Sequence, residues 1–549
     1  MAASTHAVTN QPPPLTAYDV FGTDPVLVEG VERHLDAEQA RRAARELTEL
    51  GRAAGSAQAR EWGRLAQAQP PVLRTHDRFG HRIDEVEFAP AWHRLLGKGV
   101  GAGLTSAGGG PGGRLRRAAA FLVWSQVEPG HLDPLSTTYA AVPALRARPD
   151  LAELWEPRLT SAVYESGLRP VSGKAGALLG LGLTEKQGGG EDPEAVTTRA
   201  EPVAGGAGTH RLTGHKWFCS APMSDGFLVV ARAAEGPTCF LVPRVLDDGT
   251  RNVFALQRLK DTLGHRANAT AEVEFDGTWA HRIGDEGRAV ATLRETVAAA
   301  RLDRALGAAA LMRQAVAQAV HHCTYRTASG VPLAGQPLMR NVLADLALES
   351  EAATTLVLRL AAAHDRADAG DERERALLRL AVPAAKYWLT KRCTPLVAEA
   401  LECLGGNGYV EDSGLPALLR AAPAGALREG PGNVQALEAL RVLQQDPAAL
   451  DAFLLEAGRS RGADHRLDAA VRALLTELGD LDGVQARARR LVERIALVLQ
   501  GSLLVRYAPP DVADAFCAAR LGGDGGAAFG TLPHHAALAE IVERARPVA

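Results

Sequence analysis

The period of the hydrophobic pattern changes twice along the chain, and this constrains the fold more than any other feature. Between about 25 and 165 the apolar residues recur at helical spacing, as in VEGVERHLDAEQARRAARELTELGRAAG, which ends near Gly as an amphipathic helix does. From 181 to 285 the period drops to two in HRLTGHKWFCS, GFLVVAR, TCFLVPR and AEVEFDG, with turn residues between them. From 288 to 445 the helical period returns in long runs, one carrying Pro383 and Pro395 as expected breaks or kinks. This order predicts a mainly α chain with a small central all-β domain, a barrel or sandwich, followed by a helical bundle. The expected units are an extended N-terminal arm at 1–22, a helical domain at 23–180, the β domain at 181–287, the bundle at 288–445 and an extra helical domain at 446–549. Pro12, Pro13 and Pro14 keep the arm out of helix, so it is expected either disordered or laid across a partner subunit.

A net charge of −3 over 549 residues gives no global basic footprint for nucleic acid. The six Cys (Cys219, Cys239, Cys323, Cys393, Cys403 and Cys517) form no CxxC or Cys/His cluster, so no metal is expected and a reducing cytoplasm fits. The N-terminus has neither basic nor apolar signal regions, and the apolar runs are too short for a bilayer. The glycines from Gly108 to Gly113 lack phosphate-loop spacing and read as a flexible loop. If 484–506 is one helix, Arg487, Arg490 and Arg494 share a face. The simplest reading of that face is a solvated surface.

Five stretches carry chemistry. LGLTEKQGGG (181–190) ends in glycines that let backbone N–H groups approach an anion or a ring edge. TGHKWFCSAP (213–222) reads as a strand with a core Trp and Phe. YRTASGVPLAGQPLMR (325–340) contains Arg326, whose planar, permanently charged guanidinium suits a pyrophosphate. ALECLGGNGYVED (400–412) contains a Gly-Gly pair that would stop a helix. ALREGPGNVQALEALR (426–441) sets one carboxylate, Glu429, before Gly-Pro-Gly-Asn and an amphipathic run. Alone, such a Glu is a solvated surface charge.

In this order the five resemble the acyl-CoA dehydrogenase family. The resemblance implies FAD, with Leu183, Thr184, Gly189 and Gly190 on the pyrimidine side of the flavin. Phe218 and Cys219 would lie beside the ring, and Ser220 would stand where a Thr meets the reactive ring nitrogen. It places Arg326 and Gln336 on the dinucleotide, and Gly405 and Gly406 on the adenosine diphosphate of a neighbouring subunit's FAD. Gly432 and Asn433 complete the turn at the flavin. Glu429 would take the α-proton of an acyl-CoA while a hydride leaves the β-carbon for flavin, a step that needs one base close to the α-carbon. Burial would strengthen that base. Arg301 in AARLDR is placed at substrate or a phosphate by position only.

The sequence departs from the family at Gly190-Glu191-Asp192, at Ser329 where an aromatic is expected, and at Arg428 and Pro431. Arg428 would hold Glu429 ionised if their side chains meet.

The arm, TEKQGGG, GHKWFCS, LKDTLGHRANATAEVEF, QPLMRNVL and the C-terminal segment resemble one branch, the AidB-type adaptive-response proteins linked to DNA alkylation damage. That resemblance implies a homotetramer and a C-terminal domain able to meet double-stranded DNA. The charge gives this less support, since residues 441–549 hold thirteen Arg and no Lys against fourteen Asp and Glu, and duplex binding needs several cations near phosphates. Two readings follow. One is an FAD-dependent oxidoreductase acting on an acyl-CoA or related small molecule. The alternative is a flavin-containing DNA-binding protein that protects DNA from alkylation with little or no turnover.

Overall fold

The computed structural model describes residues 5–188, 190, 192–206, 208–480 and 482–548. Its first part is helical: α1 (Pro25–His34), α2 (Ala37–Ala54), α3 (Ala57–Ala68), α4 (Pro90–Gly101), α5 (Gly113–Ser125), α6 (Leu132–Leu145) and α7 (Pro149–Leu159). Local chemistry sets the starts: Asp24 caps α1, and Asp36 with Gln39 forms a capping box on α2. A hairpin of β1 (Val72–His76) and β2 (Arg82–Glu87) interrupts these helices, where the sequence reading expected mostly helix. β1 is largely exposed and β2 is rich in charge, so the period-two signal there is weak.

The central domain contains β3 (Leu179–Gly182), β4 (Arg199–Pro202), β5 (Thr209–Ser220), β6 (Gly226–Ala233), β7 (Gly236–Pro243), β8 (Ala255–Leu259) and β9 (Thr270–Ile283). β6 pairs with β7, β7 with β9, β9 with β5, β5 with β4 and β4 with β6, so the pairings close into a ring, as expected of a barrel. The β5–β9 ladder is irregular between Lys216 and Cys219. Such an irregularity re-aims side chains, and here Phe218 is 48% exposed while Cys219 is fully buried.

The bundle begins with α8 (Ala289–Thr292) and α9 (Arg294–Tyr325). A small hairpin of β10 (Thr327–Ala328) and β11 (Val331–Pro332) leads to α10 (Pro337–Asp368) and α11 (Glu372–Cys403). α9, α10 and α11 each run 32 residues. Pro383 and Pro395 lie inside α11, not at breaks, because packing on both flanks carries the helix past them. Short α12 (Leu415–Ala421) and α13 (Ala424–Leu427) lead to α14 (Gly432–Gln445).

The C-terminal part adds α15 (Pro447–Gly458), α16 (His465–Leu478), α17 (Val484–Tyr507), α18 (Pro510–Phe516) and α19 (Leu538–Ala545). It is not a detached module. Phe453, Leu491 and Ile495 join the same hydrophobic core as Leu389 and Leu360. Arg359 of α10 bridges Glu374 and Glu456, each at 2.9 Å, and Arg544 pairs with Glu29 at 2.7 Å, tying α19 to α1.

Candidate active site

Glu429 occupies the turn between α13 and α14. Its φ is +51° and that of Gly430 is +92°, a left-handed pair that a non-glycine residue adopts only when its surroundings impose it. Those surroundings are side chains. Gln435 Nε2 donates to Glu429 O at 2.9 Å and to Gly430 O at 3.0 Å. Lys386 Nζ, reaching from α11, donates to Gly430 O at 2.5 Å, and Arg301 Nε to Glu429 O at 3.3 Å. Arg301, placed at substrate by position, thus touches the turn's own carbonyl. Gly432 is closely surrounded: a Cβ there would meet Lys391 Cε at 3.0 Å, Arg489 Nη2 at 3.3 Å and Tyr387 Cε2 at 3.4 Å. Asn433 is exposed in the first turn of α14.

The Glu429 carboxylate is gripped by Arg304, with Nε at 2.7 Å from one oxygen and Nη2 at 3.1 Å from the other. Arg304 also reaches Asp133 of α6 at 2.8 Å. The condition set for Arg428, that its side chain meet Glu429, is not what the structure shows: Arg428 pairs with Asp133. Burial opposes ionisation of Asp133, but Arg428, Arg304 and the Ser220 hydroxyl outweigh it and hold the carboxyl well below its usual range. His265 is pushed down to about 4 by burial and by the Arg428 charge, and is neutral near pH 7.

The stretch expected on the flavin side meets this cluster. Ser220 Oγ, at the end of β5, donates to Asp133, and Asn268 Nδ2 donates to Ser220 Oγ at 2.8 Å. A continuous polar chain therefore runs Ser220–Asp133–Arg304–Glu429, joining β5, α6, α9 and the turn. Leu183 and Thr184 stand beside β5, with Trp217 N donating to Thr184 O at 2.8 Å. Gly190 packs near Leu183, where a Cβ would come within 3.2 Å of the Leu183 Cβ. Gly189 lies outside the described residues. Cys219 points into the core, and burial raises its thiol to about 12, leaving its backbone for any contact. Sequence reasoning missed the bond that locks the two motifs together: Glu185 and Lys216 form a fully buried pair at 2.6 Å. Lys216 overcomes the burial penalty and keeps Glu185 below the normal carboxylate range.

Arg326, Gln336, Gly405 and Gly406 gather elsewhere, at the far ends of α9 and α11. Gln336 Nε2 donates to Ala328 O across the β10–β11 hairpin at 3.2 Å. Ser329, at the expected aromatic position, takes φ +54° in that hairpin's turn. Arg326 has no carboxylate partner among the described residues. Its Nη1 donates to the neutral carbonyl of Asn10 at 2.6 Å. A Cβ at Gly405 or Gly406 would meet nothing within 4 Å. An acid-free guanidinium beside open glycine backbone fits a dinucleotide phosphate, and the exposed Phe218 beside Ser220 fits a ring edge. Arg326, the cap of α9, lies twenty-two positions beyond Arg304, about 33 Å along the axis at about 1.5 Å per residue.

The expected arginine face exists but is occupied. Arg487, Arg490 and Arg494 converge on Glu477 of α16, the first at 3.9 Å and the second at 3.3 Å. Arg487 also donates to Asp480 O at 2.6 Å. No group of His, Cys, Asp and Glu able to hold a metal ion occurs among the described residues, and no helix there is long and apolar enough to cross a membrane.

Residues 10–166 match the adaptive response protein AidB N-terminal domain, 180–278 the acyl-CoA dehydrogenase middle domain and 285–444 the acyl-CoA dehydrogenase C-terminal domain. The chain is 41% identical to the putative acyl-CoA dehydrogenase AidB of Escherichia coli K12, over 95% of both chains. It is 28% identical to acyl-CoA dehydrogenase family member 11 of Caenorhabditis elegans, over 90% of this chain and 85% of that one. The solved structure of C. elegans ACDH-11 in complex with C11-CoA superposes with a TM-score of 0.85 at 27% identity, covering 95% of each chain. Butyryl-CoA dehydrogenase of Megasphaera elsdenii shares the fold at a TM-score of 0.53 and 21% identity, over 71% of this chain and 96% of that one. The chain belongs to the acyl-CoA dehydrogenase family, in the branch of the AidB adaptive-response proteins.

Proposed function

We propose that this protein is an acyl-CoA dehydrogenase-like oxidoreductase in which Glu429 takes the α-proton of an acyl-CoA thioester. The observation that carries the reading is the chain Ser220–Asp133–Arg304–Glu429, which sets the expected flavin-side hydroxyl and the carboxylate in one buried network. FAD is the cofactor of this family, and when bound it supplies the acceptor for the β-hydride. The chain's own residues do the rest. Gln435 and Lys386 hold the turn; Arg304 orients both Glu429 oxygens; Phe218 and Ser220 border the ring; Leu183, Thr184 and Gly190 line its other edge. Arg326, Gln336, Gly405 and Gly406 bind the adenosine diphosphate of a second copy's cofactor, which accords with their distance from Glu429 and with a homotetramer. The complex of C. elegans ACDH-11 with C11-CoA supports that substrate class. Six cysteines outside any disulfide accord with a reducing cytoplasm.

The alternative, protection of double-stranded DNA by occupancy within an adaptive response, draws on the relative's name and on the Arg487–Arg490–Arg494 face. Glu477 offsets that face, so the enzyme reading stands first. The deciding experiment is anaerobic mixing of the yellow protein with acyl-CoAs of graded chain length. Bleaching of the flavin that disappears in Glu429→Gln supports the enzyme. Absence of bleaching with every thioester, together with salt-sensitive duplex binding, would replace it with the alternative.

A further inference from the structure

The N-terminal arm lies along its own chain. Asn10 takes φ +56°, a conformation Asn tolerates. Its amide pairs with Thr327 in both directions. Nδ2 donates to Thr327 O at 2.8 Å, while Oδ1 accepts from Thr327 N at 2.8 Å and from Thr327 Oγ1 at 2.9 Å. Its carbonyl accepts from Arg326 Nη1. The next residue, Gln11, accepts from Asn407 Nδ2 at 3.4 Å, inside the 3-10 turn Gly405–Tyr409. Farther along, Pro13 O meets His321 Nε2 at 2.8 Å, and Leu15 and Tyr18 are buried. The arm therefore ties the tip of α9 to the Gly-Gly turn that follows α11.

We propose that Asn10 is a positioning residue for the adenosine diphosphate half of FAD, acting through Arg326. The proposal rests on the cofactor reading above. A long arginine side chain loses rotamer freedom when it grips a phosphate; fixing it beforehand removes that cost from binding. The fixing group matters. A carboxylate here would cancel the charge, whereas the Asn10 carbonyl takes one of five donors and leaves the positive charge for an anion. The prolines at 12–14 stiffen the strap that delivers it.

Asn10→Gly tests this, because glycine keeps the left-handed backbone and the carbonyl but removes the amide. Deflavinated parent and variant are titrated with FAD and with FMN, which lacks the adenosine half, by quenching of flavin fluorescence. The expected result is an FAD Kd raised about tenfold, as for loss of one or two hydrogen bonds, with FMN unchanged. Combined with Arg326→Gln, the losses do not add. Asn10→Asp, nearly isosteric, gives a second signature: weaker FAD at low salt that recovers as salt screens the new charge. An unchanged FAD Kd in the variants of a parent that binds tightly, or equal weakening of FAD and FMN, overturns the role of Asn10 alone. A parent that takes up no FAD overturns the cofactor reading and this proposal with it.

Discussion

Two arginine–carboxylate clusters, one at the Glu429 turn and one on α17, are built from the same residue types and do opposite things. At the turn the side chains of Arg304, Asp133 and Glu429 are 9%, 2% and 15% exposed, and Arg304 joins the two carboxylates across α6, α9 and the turn. On α17 the side chains of Arg487, Arg490 and Arg494 are 30%, 64% and 34% exposed and share Glu477. Burial makes the first cluster a rigid, high-cost network. Solvent leaves the second an ordinary surface arrangement, screened by salt. Charge pattern along a sequence does not separate these cases.

The comparison can be broken at several points. The largest expected effect is on chemistry: Glu429→Gln should lower the rate of flavin reduction by acyl-CoA by roughly 10²–10⁴-fold, read by stopped-flow absorbance, with FAD content retained. Next is stability. Arg304→Met strips a partner from both Asp133 and Glu429 and should cost on the order of 3–5 kcal/mol in denaturant unfolding; a loss below about 1 kcal/mol would mean the network is not buried in solution.

The pH dependence sharpens the same point. Asp133 has a depressed folded-state pKa, so its contribution is present above its unfolded value of about 3.9 and is lost as pH falls below it. Asp133→Asn should therefore flatten the fall in stability below about pH 4. An acid limb of the melting curve identical to that of the parent would contradict this. The smallest effect belongs to the surface cluster. Arg490→Ala should change stability by less than about 1 kcal/mol and leave FAD binding untouched, because Arg487 and Arg494 still cover Glu477. A salt slope of duplex binding reduced by about one would instead make the face a DNA contact.

Much of the fold was legible because side-chain period reports secondary structure directly. The change from helical to alternating spacing near 181, and back near 288, falls where β3 and β9 begin and end the sheet. The hairpin at Val72–Glu87 escaped because β1 is short and largely exposed and β2 is mostly charged. In the candidate site, Glu429, Arg326, Gly405 and Gly406 were singled out through the family resemblance of their stretches. Asp133 and Arg304 were not. Asp133 sits in a helix 87 positions from Ser220, and Arg304 sits 125 positions from Glu429; nothing local marks either one as a ligand of the turn.

Sequence by itself determined the family and the order of helical and β regions, because these depend on local period and on short stretches that backbone geometry demands. Only the tertiary structure decided which guanidinium holds Glu429, that Arg428 turns to Asp133, that Glu185 and Lys216 bolt the two flavin motifs together, and that the arm clasps Arg326. Those are long-range pairings, and their strength is set by burial, which a chain acquires only when it folds.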